Sequence, residues 1–436
     1  MKNKKFITLG FASATLAVGL LFSSNLMAEA SVKSSETSRL EALTKFTKVL
    51  SIVEKYDVDE VTIEDLIDKA LDGMMKNLDA HSNYLTEKDY KNLKVQTSGE
   101  FGGLGITVGM KDGALTVISP IDGTPADKAG LKAKDIILKI NEKSTLGMTI
   151  DEAVSLMRGK VGDPIDVTIV RKGELKPIKV HIVRGIITIE SVHAKTIGDD
   201  ILYIRVASFD QKVAKGMRAA IKSHQGKTKG IILDLRNNPG GLLDQAVDVV
   251  NLFVNKGTIV SQKGRDKKED KTYSANSSST ITQVPLVVLV NGGSASASEI
   301  VSGALQDHKR AVLVGEKTFG KGSVQVVLPI TKTDAIKLTI ARYYLPSGRT
   351  IQAVGVTPDV NVIAGEVKTH KNEFAIKEAD LKEHLKKELV KVDGKKAADK
   401  EDKKANKDII TPEMLNKDIQ LKEGVDIIKA LVITKG

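Results

Sequence analysis

The sequence predicts an α/β core that carries an inserted β-rich module and is flanked by helical regions at both ends. Residues 200–345 alternate strand and helix patterns, which is typical of a largely buried sheet layered against helices. Residues 99–184 contain short β-rich runs separated by turn signals. Apolar residues recur at helical spacing in residues 38–80 and 412–433, which predicts helices before and after the core.

The amino terminus has the layout of a secretory signal peptide. Three lysines among the first five residues precede an uncharged, mostly apolar run from Phe6 to Phe22, and Ala28-Glu29-Ala30 offers a cleavage pattern. We therefore expect residues 1–30 to be removed and the protein to be exported to the periplasm or cell envelope. The alternative is an uncleaved segment that anchors the chain, because the apolar run is nearly long enough to span a membrane. Membrane contact is expected only through this segment.

Residues 31–98 are predicted to form an N-terminal helical region. Apolar residues recur at helical spacing from Leu40 to Val53 and again from Leu66 to Met74, and Asp57-Val58-Asp59 marks a turn between the two helices. The residues from Asp79 to Leu85 are interpreted as an irregular connection to the next module.

The β-rich module, residues 99–184, has a normal size for a small domain. Its predicted elements are the strands Gly105–Met110, Leu115–Ile118, Asp135–Ile140, Ile165–Arg171 and Lys176–Val183 and the helix Thr149–Met157. The loop Gly103-Leu104-Gly105-Ile106 can offer successive backbone amides to a peptide carboxylate, while the adjacent strand edge pairs with the peptide backbone. A plain hairpin is the alternative interpretation of this loop.

The α/β core is predicted within residues 185–365. Its elements are the strands Ile201–Ala207, Gly230–Leu235, Leu286–Asn291, Ala311–Gly315 and Lys337–Tyr343 and the helices Val213–His224, Leu242–Val254 and Ala297–His308. In an open α/β sheet, the loops at the carboxyl ends of the strands meet in one crevice. Polar or glycine-rich loops at these ends are therefore the candidates for a site.

One such loop contains a serine that is well placed to act as a nucleophile. The segment Gly293-Ser294-Ala295-Ser296-Ala297-Ser298-Glu299 follows an apolar strand and opens a helix. An oxyanion that develops near Ser296 would meet the free N–H groups and the positive end of that helix. The alternative is structural, because Ser296 and Glu299 also have the spacing of a capping box.

Two further loops offer a base and a backbone donor. Lys321 lies in Phe319-Gly320-Lys321-Gly322, and a lysine in a dry pocket loses its preference for the charged form and can act as a general base. Phosphate binding and a solvated turn are the alternatives, although the P-loop pattern is not met. The pair Gly240-Gly241 can aim an N–H group into the crevice, and a plain helix-start turn is its alternative.

The composition excludes several kinds of site and partner. The chain has no Cys, which excludes disulfides and thiolate nucleophiles. None of the seven His lies in a glycine-rich loop at a strand end, which favours a Ser–Lys over a Ser–His site. No residue cluster has metal-ligand spacing, so no metal or cofactor is expected. Aromatic residues make up 4% and the net charge of +11 is attributed to solvated lysines, so no nucleic-acid partner is expected.

Together these motifs resemble the carboxy-terminal processing peptidases, also called tail-specific proteases, over roughly residues 38–362. The β-rich module resembles a PDZ domain of the bacterial, protease-linked type, with Gly103, Leu104, Gly105 and Ile106 as the carboxylate loop. The other motifs that carry the resemblance are Asp234–Gly241, Gly293–Glu299, Thr318–Gly322, Tyr343–Gly348 and Gly355–Asp359. The resemblance implies a crotonase/ClpP-like arrangement of sheet and helices for residues 185–365.

The resemblance also implies a reaction and the residues that perform it. Ser296 corresponds to the nucleophile of the family, Lys321 to its general base and Gln325 to the residue that orients the base. The backbone N–H of Ala297 and one from Gly240 or Gly241 correspond to the oxyanion hole. Proteins and peptides with free C-termini are the implied substrates, cleaved near the C-terminus through an acyl-enzyme without a cofactor.

Regulation and assembly are predicted less directly. Arg158 ends the helix of the module and is a candidate regulatory contact, although a charge that compensates the helix dipole is the alternative. The helical ends resemble family regions used for dimerisation, which predicts a homodimer.

Residues 366–436 are predicted to hold a Lys-rich segment, solvated or disordered, and a C-terminal helical region.

Two other functional classes compete with this interpretation. A catalytically silent PDZ protein, acting as a peptide-binding module or chaperone, would use the same scaffold. It is disfavoured because Ser296, Lys321 and Gln325 are all present. A crotonase-like acyl-CoA enzyme shares this kind of α/β layer, but a PDZ domain and a signal peptide do not suit it.

Overall fold

The computed structural model describes residues 38–367 and 408–435. Within them the chain divides into two compact units: one ends at Tyr84 and also includes Ile336–Leu338, and the other comprises Leu85–Ala335 and the residues from Thr339 onward. The predicted signal peptide and most of the predicted Lys-rich segment lie outside the described residues. Within the described parts of the chain, no helix is both long and apolar enough to cross a membrane.

The first unit contains the two helices that the apolar spacing predicts. Helix α1 covers residues 38–56, and helix α2 covers Ile63–Lys76. The hydroxyl of Thr62 accepts a hydrogen bond from the Asp65 N–H, which satisfies one free donor of the first turn and explains where α2 begins. A short strand, β1 (Asn83–Leu85), lies where an irregular connection is predicted.

The β-rich module has the strands and the helix that its sequence predicts. With the helix that precedes it, its elements are α3 (Glu87–Ser98), β2 (Glu100–Gly103), β3 (Ile106–Lys111), β4 (Ala114–Pro120), α4 (Pro125–Lys128), β5 (Ile136–Ile140), β6 (Lys143–Ser144), α5 (Ile150–Met157), β7 (Pro164–Val170), β8 (Ile178–Val183) and β9 (Gly185–Thr188). Helix α3 lies within the predicted N-terminal helical region, residues 31–98, but no individual helix is predicted over its residues. None of these residues is buried, so the helix lacks the apolar stripe that would reveal it.

One sheet, with strand order β3-β4-β5-β7-β8 and β6 paired to β5, forms the body of the module. Its core is made of fully buried side chains such as Val117, Val167 and Ile169, together with Ala153 from α5. The strands β2 and β9 pair antiparallel where the chain enters and leaves the module. Strand β3 is at the edge of the sheet, beside α5, so its outer edge is available to a further strand.

The remainder of the second unit contains a mixed seven-stranded sheet and strands of a second sheet. In chain order its elements are β10 (Val192–Ile197), β11 (Ile201–Val206), α6 (Val213–Ser223), β12 (Gly230–Asp234), α7 (Leu243–Asn251), β13 (Thr258–Gly264), β14 (Lys271–Ser274), β15 (Leu286–Val290), α8 (Ala297–Asp307), β16 (Val312–Gly315), β17 (Ser323–Pro329), β18 (Ala335–Tyr344), β19 (Val360–Asn361), β20 (Ile409–Ile410), α9 (Pro412–Asn416) and α10 (Ile419–Lys435). The strand order is β19-β16-β15-β12-β11-β10-β20, and β11, β12, β15, β16 and β19 are parallel.

Helices cover both faces of this sheet, and the side chains alternate between the two sides along each strand. Leu233 and Val288 point into the larger core with α6, α7 and α8. Their neighbours Ile232 and Val287 point into a second core with Ile428 of α10. The C-terminal helix predicted from periodicity is therefore confirmed, and it closes the second face of the sheet.

The strand predicted over Lys337–Tyr343 exists as β18, but its predicted place in the α/β sheet was wrong. It pairs with β17 and antiparallel with β13, in a separate sheet that also includes β14. The connection from Pro329 to Ala335 is too short for the crossover that a parallel pair needs. The sequence prediction also missed β10, β13, β14 and β17.

Candidate active site

Ser296 lies at the sharp turn between β15 and α8, immediately before the first residue of the helix. Its backbone has φ 55° and ψ −112°, which is unfavourable for a residue with a Cβ atom. Strain of this kind is retained where the surrounding structure imposes it, and it is common at functional sites. Ala297 begins α8, so its N–H is one of the helix-end donors without an intrahelical acceptor.

The turn is fastened to the loop after β12 by hydrogen bonds from both sides of Ser296. The Ser294 hydroxyl donates to the Leu235 carbonyl at 2.8 Å. The Ala295 N–H and the Ser298 hydroxyl both donate to the Asn238 carbonyl, at 3.0 and 2.9 Å. Serines on either side of Ser296 therefore serve as structural ties, which leaves Ser296 as the half-buried serine of the motif.

Glu299 connects the serine loop to the lysine loop. Its side chain is completely buried, and the carboxylate accepts four hydrogen bonds. Oε2 accepts from the N–H groups of Ser296 (2.9 Å) and Lys321 (2.8 Å). Oε1 accepts from the Thr318 hydroxyl (2.6 Å) and the Gly320 N–H (2.7 Å). Ser296 and Lys321 are thus held by one carboxylate oxygen through their backbones.

The sequence predicts only a capping role for Glu299. The capping bond to the Ser296 N–H does exist, since Glu299 lies three residues into α8. The bonds to the lysine loop were missed because they join residues that the chain alone does not place together. A carboxylate within an otherwise apolar or small-residue helix start was the available signal, since a buried charge needs several donors.

The lysine loop is also supported from its other side. The Phe319 N–H donates to the Ser294 carbonyl at 3.1 Å, and the Ala353 N–H donates to the Gly320 carbonyl at 2.8 Å. The Lys321 side chain is half-buried. Gln325 lies on β17, and its amide donates to the hydroxyls of Ser323 (2.8 Å) and, weakly, Thr339 (3.4 Å). That Gln325 orients Lys321 stays a prediction.

Gly240 lies against the candidate nucleophile. A Cβ atom added there would come within 2.8 Å of the Ser296 Cβ and 2.9 Å of the Ala297 nitrogen, and Gly240 has φ 102°. Only glycine satisfies both requirements. The Gly240 N–H donates to the Asn238 side-chain carbonyl at 2.9 Å. Sequence reasoning missed Asn238, which is fully buried and shapes this turn.

Gly241 is held against a different neighbour. It has φ 146°, and an added Cβ atom would lie 2.3 Å from the Phe209 carbonyl oxygen. The Leu242 N–H donates to that same oxygen, and the Phe209 N–H donates to the Gly240 carbonyl. The glycine pair is therefore packed between two backbone segments, with Gly240 against Ser296 and Gly241 against Phe209. That one of the two lines an oxyanion hole stays a prediction.

A groove of about 290 Å³ runs along the β-rich module between β3 and α5. Its lining is largely apolar and includes Leu104, Ile106, Val154 and Met157. The Leu104 carbonyl accepts from the Ala126 N–H at 2.8 Å. Because the peptide unit is planar and trans, the following N–H points away from that partner. This arrangement suits a loop that offers N–H groups to a carboxylate.

Arg158 lies at the mouth of the same groove, where it ends α5. Its guanidinium is 4.5 Å from the centre of the Phe101 ring, and both residues line the groove. The contact is a cation–π interaction between the exposed Arg158 and the half-buried Phe101. The structure therefore places this predicted regulatory residue beside the peptide groove.

No group of three or more His, Asp or Glu side chains in residues 38–367 and 408–435 is arranged to hold a metal ion.

The chain matches two known domain families and several known proteins. Residues 200–362 match peptidase family S41, and residues 102–182 match the PDZ domain. The chain is 42% identical over 433 residues to a carboxy-terminal-processing protease of Bartonella bacilliformis, covering 97% of this chain and 95% of the relative. It is 39% identical over 321 residues to the carboxy-terminal processing protease CtpA of Bacillus subtilis, covering 72% of this chain and 68% of the relative.

Among solved structures, the chain is similar to a photosystem II D1 C-terminal processing protease. The two are 29% identical with a TM-score of 0.41, and the match covers 73% of this chain and 92% of that one.

Proposed function

Because the chain belongs to peptidase family S41, as a carboxy-terminal-processing protease with a PDZ domain, we propose that Ser296 and Lys321 perform its cleavage reaction. The observation that carries this proposal is the buried carboxylate of Glu299, which binds the backbone N–H groups of both residues. Two loops that are 25 positions apart in sequence are thereby held side by side, with Gly240 packed against Ser296.

The reaction begins with proton transfer from Ser296 to Lys321. Neutral Lys321 accepts the hydroxyl proton while the Ser296 oxygen attacks the scissile carbonyl carbon, which forms a tetrahedral oxyanion. The oxyanion collapses, the C–N bond breaks, and the leaving amine takes the proton from Lys321. Water then attacks the resulting ester, and Ser296 is regenerated as the acid product leaves.

The oxyanion is stabilised by backbone donors at the start of α8 and in the glycine pair. Ala297 supplies one N–H, since it is the first residue of the helix. The Gly240 N–H already donates to Asn238, so we assign the second donor to Gly241. Gly240 itself keeps the space beside Ser296 free of a side chain.

The PDZ domain selects the substrate by its C-terminus. An extended peptide adds to the free edge of β3, and its terminal carboxylate meets the loop from Gly103 to Ile106. The apolar lining of the groove favours apolar terminal side chains. The bound protein is thereby brought to the protease core for cleavage near its end.

Export and assembly complete the proposal. The first 30 residues have the layout of a signal peptide, so the mature enzyme acts in the periplasm or cell envelope. Sequencing the mature N-terminus by mass spectrometry tests this, and a protein that still begins at Met1 contradicts processing. The helical ends are proposed to form a homodimer, and a monomeric mass in light scattering contradicts that.

Substitution of the two reacting residues tests the catalytic proposal. Ser296→Ala and Lys321→Ala are each expected to abolish cleavage of an unfolded protein, followed by mass spectrometry, while peptide binding and the unfolding transition are retained. Lys317→Ala is the matched control, because Lys317 is an exposed lysine of the same loop and its loss is expected to be silent. Full activity of Ser296→Ala would reject the assignment. An inactive wild-type protein that still binds peptides would favour the silent PDZ alternative.

A further inference from the structure

A half-buried arginine, Arg236, joins the loop that leads to the glycine pair to the start of the C-terminal helix α10. The Arg236 side chain is 13% exposed, and its five N–H donors are all engaged. Nε and Nη2 donate to the Asp234 carboxylate at 3.0 and 2.6 Å. Nη1 and Nη2 donate to the two oxygens of Asp418 at 2.8 and 2.7 Å, and Nη1 also donates to Gln420 at 3.1 Å.

The two carboxylates that bind Arg236 come from parts of the chain that are far apart in sequence. Asp234 ends strand β12, is completely buried, and also accepts a hydrogen bond from the Tyr203 hydroxyl at 2.8 Å. Asp418 lies 182 positions beyond Arg236, immediately before α10. A planar guanidinium bound in this bidentate manner by two carboxylates has little freedom to turn.

Asp418 is itself held in place without Arg236. Its carboxylate accepts from the Leu421 N–H at 3.0 Å, and its carbonyl accepts from the Lys422 N–H at 2.9 Å, so it forms the start of α10. Leu421 and Ile428 of the same helix are buried against the central sheet. Asp418 therefore presents its carboxylate to Arg236 from a fixed position.

Arg236 lies in the segment whose far end defines the proposed oxyanion site. Asn238 follows two residues later and binds the Gly240 N–H, and Gly240 packs against Ser296. The loop from Arg236 to Gly240 is therefore fixed at its beginning by the contacts of the Arg236 side chain and at its end by the contact between Asn238 and Gly240. A shift of the first end moves the backbone that the reaction needs.

We propose that Asp418 is a positioning residue for the peptidase reaction: through Arg236 it fixes the loop that places Gly240 and Gly241 beside Ser296. The inference rests on the proposed function, because it assumes that this glycine pair supplies an oxyanion donor. It assigns a catalytic contribution to the C-terminal segment, which lies outside residues 200–362, the part that matches the peptidase family. Asp418 does not contact the substrate in this scheme.

The test compares Asp418→Asn with wild type in the full-length protein. A displaced oxyanion donor is expected to lower kcat by about 10²-fold with little change in KM, since a misplacement of about 1 Å can have this effect. A peptide boronate forms a tetrahedral adduct with a serine oxygen and thus mimics the transition state. Its Ki is expected to rise by the same factor as kcat/KM falls. Asp426→Asn, an exposed carboxylate on the same helix, is the control and is expected to be silent.

Three outcomes overturn the proposal. Unchanged kcat/KM in Asp418→Asn removes the positioning role, and the proposed function stands as long as Ser296→Ala is inactive. If active-site titration of Asp418→Asn finds a lower fraction of active protein, and the boronate Ki of that active fraction is unchanged, Asp418 contributes only to folding. If Asp418→Asn does not fold, Asp418→Glu keeps the charge and displaces the carboxylate. In Asp418→Glu the boronate Ki must then rise by the same factor as kcat/KM falls. If these two changes do not occur together, the proposal is rejected.

Discussion

At the scale of single residues, the site depends on side chains that do not react. Glu299 is buried, and its carboxylate oxygens accept hydrogen bonds from four donors, which satisfies these buried polar atoms. Asn238 has a similar role in the glycine turn, where its amide joins the Gly240 N–H to the Val206 carbonyl. The proposed nucleophile and base are therefore positioned by backbone contacts to these supporting residues.

Glu299→Gln is expected to destabilise the protein and to lower activity. The amide nitrogen of Gln cannot accept, so it would face two of the four donors that now bind the carboxylate. Leaving buried donors unsatisfied is expected to lower the free energy of unfolding by about 1–3 kcal/mol. The serine loop and the lysine loop would then no longer be held together. Urea denaturation measures the loss of stability, and kcat measures the loss of activity. The exposed Glu190→Gln serves as control, and wild-type kcat in Glu299→Gln would contradict the bridging role.

Gly240→Ala is expected to abolish activity. The new methyl group would lie 2.8 Å from the Ser296 Cβ at a positive φ, so the turn must move away from the serine. Gly198→Ala is a matched control, because Gly198 also has a positive φ, 60°, but nothing lies within 4 Å of the added Cβ. Cleavage rates of the two variants, measured with equally folded protein, check the expectation. Equal losses in both would contradict a local effect at Ser296.

At the scale of elements, an ion pair joins the ends of two neighbouring strands in the PDZ domain. The Asp135 side chain is 1% exposed, and Arg171 on the neighbouring strand end donates to both of its oxygens at 2.8 Å. Burial alone would raise the pKa of Asp135, but the hydrogen bonds from Arg171 and the Lys132 N–H hold it below the ordinary value. The ionised carboxylate is therefore part of the folded domain.

The pH dependence of the PDZ domain follows from the lowered pKa of Asp135. The folded state binds this proton more weakly than the unfolded state, so the stabilisation is complete above pH 3.8 and is lost as the pH falls through the lower folded pKa. Asp135→Asn is expected to cost about 1–3 kcal/mol at pH 7 and less in acid. Urea denaturation at both pH values measures the difference. Asp166→Asn, which removes an exposed pair, is expected to change little, and a pH-independent difference for Asp135→Asn would contradict the linkage.

At the scale of the whole molecule, the proposed function has two modules act on one substrate. In this proposal the PDZ groove binds the C-terminus of a substrate protein and the Ser–Lys site cleaves the same protein, so capture of a free terminal carboxylate precedes cleavage. The C-terminal segment adds a third part. Helix α10 covers one face of the protease sheet, and Asp418 immediately before it binds Arg236 in the loop beside the proposed nucleophile.

A substrate with a free C-terminus is expected to be cleaved faster than the same peptide with an amidated C-terminus. In Val154→Asp the ratio of the two rates is expected to fall towards one, because a negative charge in the groove repels the carboxylate. Ser155→Asp places the same charge on the next, exposed residue of α5 and is expected to keep the ratio. Mass spectrometry of timed digests gives both rates. A ratio of one in the wild type would contradict C-terminal selection.

The sequence by itself determined the modules and the candidate reacting residues, because strand and helix periodicity and glycine-rich loops are local properties of the chain. The sequence-based prediction placed β18 in the wrong sheet and missed β13 and β17, because this second sheet arises from strand pairing rather than from periodicity. Only the tertiary structure decided that Glu299 bridges two loops and that Asp418 reaches Arg236 across 182 positions. Such contacts depend on where folding brings distant groups, and a buried carboxylate acquires its role from the donors that surround it.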